Sequence, residues 1–173
     1  MNVLAFAASN SRQSINKQLA HYAASIVSDT VELVDLNDYE MPIYSSDREA
    51  QDGIPELAQR LFTKIGQADA VVISFAEHNG SYTAAYKNIF DWMSRINQKV
   101  FQNKAMVLLA TSPGPGGAKS VLAAATGSAP YFAADVKASF SVPSFYDNFD
   151  ADTKRIKNTE LDAELRAALA TLK

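Results

Sequence analysis

Asp69-Ala70-Val71-Val72-Ile73-Ser74-Phe75-Ala76 is the stretch that decides the fold. Its centre is β-branched and aromatic with no polar alternation, the pattern of a strand covered on both faces in the middle of a parallel sheet. Parallel neighbours cannot be joined by a tight turn, so such a strand demands helical crossovers on either side. The flanking sequence supplies them. Upstream, Ile54 to Gly66 reads as a helix with Pro55 at its start. Downstream, Ala84 to Ile96 places Ile89, Trp92, Met93 and Ile96 on one stripe.

The alternation continues outward in both directions. Asn2 to Ala8 is a nearly continuous apolar run, too short for a buried helix, and Ile15, Leu19, Tyr22, Ala23, Ile26 and Val27 recur at helical spacing behind it. Val31 to Leu36 reads as the second strand, separated from the Ile54 helix by an irregular stretch. Ala105 to Ala110 repeats the buried-strand pattern, and Gly117 opens a small-residue helix reaching Ala125. Val136 to Val142 then reads as the fifth strand and Glu160 to Leu172 as a closing helix. This pattern predicts one α/β domain over residues 1–173, a doubly wound five-stranded parallel sheet in the order 2-1-3-4-5 with helices on both faces. In that order the switch point lies between strands one and three, and ligands sit beyond the carboxyl ends of the strands.

With 173 residues, 47% of them hydrophobic and 20% charged, the chain has enough apolar side chains for a single core and carries no repeats. The absence of cysteine excludes disulfides, thiolate nucleophiles and cysteine-ligated zinc or iron–sulfur centres, and it suits a reducing, cytoplasmic setting. A formal net charge of −3 offers no field to recruit nucleic acid or an anionic membrane. The first residues lack a basic segment ahead of the apolar run, so no export signal is expected.

Three loops lead to the carboxyl ends of the central strands. Ser9-Asn10-Ser11-Arg12-Gln13-Ser14-Ile15-Asn16 sets hydroxyls, amides and an arginine at a helix start, where unpaired N–H groups and the helix dipole favour a phosphate dianion. Taken alone, it fits an ordinary capped turn equally well. Ala76-Glu77-His78-Asn79-Gly80-Ser81-Tyr82 gathers polar and aromatic groups around a glycine, suited to the edge of a planar heterocycle or simply to a surface turn. Thr111-Ser112-Pro113-Gly114-Pro115-Gly116-Gly117 combines stiff prolines with open glycines, suited to an anionic edge or to a tight crossover. No Walker, G-x-S-x-G or HExxH pattern appears, and His21 and His78 lack a partner motif, so neither a catalytic side chain nor a metal ligand is assigned. Lys87 and Asp91 read as a helix-surface pair and Trp92 as a core or subunit contact.

Together these residues resemble the NADPH-dependent FMN reductase family of flavodoxin-like proteins. The family's phosphate loop, roughly G-S-x-R-x-x-S-x-N, is similar to Ala8-Ser9 through Ser14-Ile15-Asn16, with Arg12 one place later. Its P-E-Y-N-G-S loop and following K-N-x-x-D-W resemble Ala76 to Ser81 and Lys87-Asn88-Ile89-Phe90-Asp91-Trp92, with Ala76 for proline and His78 for tyrosine. Its proline- and glycine-rich third loop resembles Ser112 to Ala118, one residue shorter. The resemblance implies FMN as cofactor, bound through Ser9, Arg12, Ser14, Ile15 and Asn16, through Ala76, Glu77, His78, Asn79, Gly80 and Ser81, and through Ser112, Pro113, Gly114 and Gly117. It further implies NADPH or NADH as electron donor, hydride transfer through the flavin to a quinone-like or other small acceptor, and a homodimer or homotetramer. The same loops would serve an FMN-binding electron carrier or flavin-storage protein without NAD(P)H turnover.

Overall fold

Val71, Ile73 and Phe75 enter one hydrophobic core while Ala70 and Val72 enter another, which is why this stretch shows no polar alternation. It forms β3 (Ala70–Phe75) of a parallel sheet with β1 (Asn2–Ala8), β2 (Thr30–Val34), β4 (Ala105–Thr111) and β5 (Asp135–Val142). The computed structural model describes residues 1–173 and places these strands in the expected order β2-β1-β3-β4-β5. The register sets Ala5 beside Val72 and Val72 beside Val107, so one row of side chains crosses three strands on each face.

Helices cover both faces. Leu19, Ala23 and Ala24 of α1 (Ile15–Val27) pack with the Val72 side. Three other helices cover the Ile73 side: α3 (Glu56–Gln67) gives it Leu61 and Ile65, α4 (Ala84–Ile96) gives it Tyr86, Ile89, Trp92 and Met93, and a third follows β4, whereas α2 (Ser46–Asp52) lies apart from that core. Val121 and Leu122 of α5 (Lys119–Ser128) complete that layer. After β5 come a one-turn α6 (Phe145–Asn148), a small antiparallel hairpin of β6 (Phe149–Asp150) and β7 (Arg155–Ile156), and α7 (Thr159–Ala170). The last helix returns Leu165 and Leu169 to the Val72 side beside α1.

The departures from the sequence expectation have local causes. β2 stops at Val34 because Asp35 Oδ1 accepts the Asn37 N–H at 2.9 Å and turns the chain into a tight helical turn over Leu36–Tyr39. α5 begins at Lys119, two residues later than expected, since Ala118 is left-handed at φ 56°. The stretch expected to be irregular contains α2, which buries no residue and so shows no apolar period. Caps hold it instead: Ser45 Oγ accepts the Arg48 N–H at 3.2 Å, and Gly53 closes the other end at φ 74°. Arg95 Nε and Tyr44 Oη both donate to Glu49, at 2.9 and 3.0 Å, and so fasten α2 to α4.

Candidate cofactor-binding site

At the exit of β1 the chain presents donors with nothing in the protein to receive them. Ser14 caps α1 by accepting the Lys17 N–H at 3.2 Å, and Ser9 Oγ accepts the Ser11 N–H at 3.1 Å. Both hydroxyls belong to buried residues, 6% and 7% exposed, and neither donates to a protein acceptor. The backbone N–H groups of Gln13, Ser14, Ile15 and Asn16 also lack an acceptor within the chain. Convergent donors at the positive end of a thirteen-residue helix favour an anion with several oxygens, above all a phosphate.

Side chains that tie the loops together set the shape of this cradle. Asn16 donates from Nδ2 to the Thr111 carbonyl at 3.1 Å, while its Oδ1 accepts the Thr111 N–H at 3.1 Å and the Ser74 hydroxyl at 2.7 Å. One buried amide therefore joins α1 to the ends of β3 and β4. Thr83 Oγ1 donates to the Ala8 carbonyl at 3.0 Å and accepts the Tyr86 N–H, so the cap of α4 also fixes the end of β1. Glu77 Oε2 accepts the Val121 N–H at 2.8 Å in the first turn of α5, a helix whose own cap position, Ala118, offers no side-chain acceptor. The second loop thereby caps the helix that follows the third.

The second loop is a two-residue hairpin. His78 and Ser81 exchange backbone hydrogen bonds at 3.0 and 3.1 Å, and Asn79 and Gly80 occupy the turn at φ 53° and 77°. The third loop is fastened to the chain beyond β5, where Ser144 and Phe145 donate their N–H groups to the carbonyls of Gly114 and Ser112 at 2.9 and 3.0 Å. Gly117 is buried at φ 60°, and a Cβ there would come within 2.3 Å of Ser141 Oγ.

All three loops meet in one cleft of about 260 Å³. Of the residues singled out in the sequence, it brings together Ser9, Ser14, Ile15, Asn16, Ala76, Glu77, His78, Ser112 and Pro113. Arg12 is exposed and lines the next groove along α1, Asn79, Gly80 and Ser81 form the hairpin tip and its closing residue, and neither Gly114 nor Gly117 lines the cleft. Among the lining residues, the side chains of Asn16 and Glu77 are engaged in holding loops together. Tyr146 also lines the cleft from α6, a contribution the sequence reading missed because it followed only three of the loops at this end of the sheet.

The motif after the second loop has a structural task. Asn88 Oδ1 accepts the Tyr44 N–H at 2.8 Å, Asn88 Nδ2 donates to the Met41 and Pro42 carbonyls, and Trp92 Nε1 donates to the Pro42 carbonyl at 2.7 Å. These bonds pin the segment after β2 to α4. No group of three or more His, Cys, Asp or Glu side chains is arranged to hold a metal ion.

The family model of NADPH-dependent FMN reductase matches residues 1–147. The chain belongs to the NADPH-dependent FMN reductase family. Within it, an uncharacterized protein of Mycoplasma pneumoniae is 30% identical over 146 residues, covering 82% of this chain and 86% of that protein. A 2-hydroxy-1,4-benzoquinone reductase of Burkholderia is 38% identical over 106 residues, covering 60% of this chain but only 56% of that enzyme. The match to the quinone reductase of Escherichia coli K12 is 35% identical over 81 residues and covers 43% of that enzyme, so the chain aligns with about half the length of these quinone reductases. In three dimensions the flavoenzyme FerB of Paracoccus denitrificans superposes with a TM-score of 0.75 at 24% identity, covering 99% of this chain and 96% of its own, a likeness of fold. The family is one of FMN enzymes served by NAD(P)H, and the cradle's donors suit the FMN phosphate: buried hydroxyls and helix N–H groups without protein acceptors.

Proposed function

We propose that this protein is an FMN-dependent NAD(P)H oxidoreductase that passes hydride from a nicotinamide through FMN to a quinone-like or other small acceptor. One observation carries the reading: the buried, undonated hydroxyls of Ser9 and Ser14 open into the same cleft as the second and third loops. Ser9, Ser14 and the N–H groups of Ile15 and Asn16 would hold the phosphate, and Ala76 to His78, Ser112, Pro113 and Tyr146 would flank the ring. FMN supplies the hydride chemistry when bound. The protein's part is to place the ring and to meet the phosphate with donors, tasks that need no side chain to move a proton. The quinone reductases among the relatives support the acceptor class.

The chain acts as one cytoplasmic domain over residues 1–173 with a small molecule as acceptor, and no helix is long and apolar enough to cross a membrane. Assembly as a homodimer or homotetramer is favoured by an apolar groove of about 360 Å³ between α4 and α5, walled by Tyr82, Tyr86, Phe90 and Phe132, which a second copy would cover.

The test is an absorbance spectrum after FMN addition and desalting, followed by anaerobic NADPH and then a benzoquinone. Retained flavin absorbance that bleaches with NADPH and returns with the quinone supports the assignment. Retained absorbance that NADPH and NADH leave unchanged would point to an electron carrier, and loss of all flavin would remove the cofactor.

A further inference from the structure

The cleft that gathers the three loops contains few groups able to move a proton. Its ionisable side chains are Glu77, His78 and Tyr146, and the first and third loops line it with hydroxyls, amides and apolar groups alone. Glu77 is engaged, since its Oε2 accepts the Val121 N–H at 2.8 Å at the head of α5. A phenol and an imidazole remain, and of these two side-chain types only imidazole changes charge between about pH 5 and 8.

His78 is mounted for such a role. Its backbone exchanges hydrogen bonds with Ser81 at 3.0 and 3.1 Å, which fixes the base of the side chain on the cleft wall. The imidazole is exposed and makes no hydrogen bond or ion pair within the protein, so both ring nitrogens are free to meet a ligand. It also stands where the second loop departs from the pattern P-E-Y-N-G-S, with histidine in place of tyrosine.

Hydride transfer to a quinone leaves one proton to be supplied. The hydride brings two electrons and one hydrogen to one quinone oxygen, and the other oxygen stays an oxyanion until an O–H bond forms there. Oxidation of the nicotinamide releases no further proton, so this one comes from the protein or from solvent. We infer that His78 is the catalytic acid of the acceptor step. An imidazolium N–H bond breaks, its proton passes to the second quinone oxygen to complete the hydroquinone, and the neutral imidazole regains a proton from water. The inference rests on the flavin reading for the hydride and on the cleft's own ionisable groups for the proton. It gives the site a preference: acceptors that need a proton, such as quinones, gain from His78, whereas ferricyanide takes electrons alone.

The test uses the FMN-loaded protein with His78→Phe and with His78→Gln, which keeps a hydrogen-bonding side chain but has no charge to exchange. Thermal melts establish that the variants fold, and desalting establishes that they retain FMN. With NADPH as donor, kcat/KM for benzoquinone is expected to fall about a hundredfold in both variants, the scale of general acid catalysis, and its ratio to the ferricyanide value falls with it. In the unsubstituted protein the benzoquinone value declines as pH rises between about 5 and 8, because the acid form is titrated away, and His78→Gln lacks that decline. A readout independent of turnover comes from NMR. The chain has two histidines, so loss of one imidazole signal in His78→Gln assigns both. Hydroquinone added to the oxidised, FMN-loaded protein should shift the His78 signal and leave that of His21, which lies outside the cleft, in place. If FMN is retained, full benzoquinone activity in His78→Gln or a His78 signal unmoved by hydroquinone would overturn the proton role and leave the flavin reading standing. An unsubstituted protein that retains no FMN would overturn both.

Discussion

Asn16 and Thr111 are joined twice, side-chain amide to backbone amide, at 3.1 Å in each direction across ninety-five positions of sequence. Asn16→Ala strands the Thr111 N–H and carbonyl and the Ser74 hydroxyl in a buried site. Each such group costs about 1–3 kcal/mol, and some relaxation is available, so the expected loss is about 2–4 kcal/mol. Urea unfolding measures it, and a loss under about 0.5 kcal/mol, the scale of an ordinary surface substitution, would mean the bonds are dispensable.

Glu77 serves α5 through the Val121 N–H. Glu77→Ala removes that cap and is expected to destabilise the fold by about 1 kcal/mol. Glu77→Gln keeps the acceptor oxygen and gives up only the charge at the helix N-terminus, so it should lose less, about 0.3–1 kcal/mol. Equal losses in the two variants would show that charge, and not the hydrogen bond, is what α5 requires.

Gly117→Ala combines a left-handed backbone at φ 60° with a Cβ placed 2.3 Å from Ser141 Oγ and 3.2 Å from the Pro143 backbone. The left-handed conformation alone costs about 1–2 kcal/mol, and the crowding adds to it. Gly114→Ala, in the same loop, has open space at its Cβ and no positive φ, and it should be nearly neutral. Melting temperatures of the pair separate local strain from a general intolerance of the loop.

Ser9→Ala bears on the ligand. Its hydroxyl accepts the Ser11 N–H and has a proton to spare toward the cleft. FMN affinity is expected to fall by about 1.5–3 kcal/mol, the range for a hydrogen bond to a charged group. Fluorescence titration reads the change, and unaltered FMN affinity would take Ser9 out of the phosphate site.

Tyr86 sets a limit at alkaline pH. Burial, and next the neighbouring Tyr82, push its hydroxyl well above the ordinary tyrosine value, and that hydroxyl has no hydrogen-bond partner in the chain. A folded-state value raised above the unfolded one leaves stability intact below about pH 10 and erodes it as pH rises further, because only the unfolded chain gives up the proton. Tyr86→Phe keeps the T-shaped contact with Phe75 and should flatten that decline. Some slope will remain, since Tyr22 and Tyr39 are shifted the same way by burial. Urea midpoints at pH 8 and 11 provide the comparison.

The sheet was readable because β1, β3 and β4 are buried on both faces, so their composition reports their position directly. α2 was not, because a helix made by two caps and an ion pair leaves no apolar period to find. Loop positions were legible at the resolution of the loop and not of the side chain. Asn16 and Glu77 have the chemistry of ligands and spend it inside the protein, a choice fixed by partners ninety-five and forty-four residues away. Arg12 belongs to the phosphate loop by spacing, yet its side chain lines the outer groove. The Asn79-Gly80 pair, by contrast, states its hairpin outright, since few other residue pairs accept two positive φ angles in succession.

The carbonyls of Ser112 and Gly114, held by the N–H groups of Phe145 and Ser144, leave the third loop little freedom to rearrange. Its ordering entropy is spent when the chain folds and is not charged again on encounter with a flavin. On the proposed flavin site the third loop is a wall set before the ligand arrives, so the association rate should follow diffusion and electrostatic attraction more than any slow isomerisation.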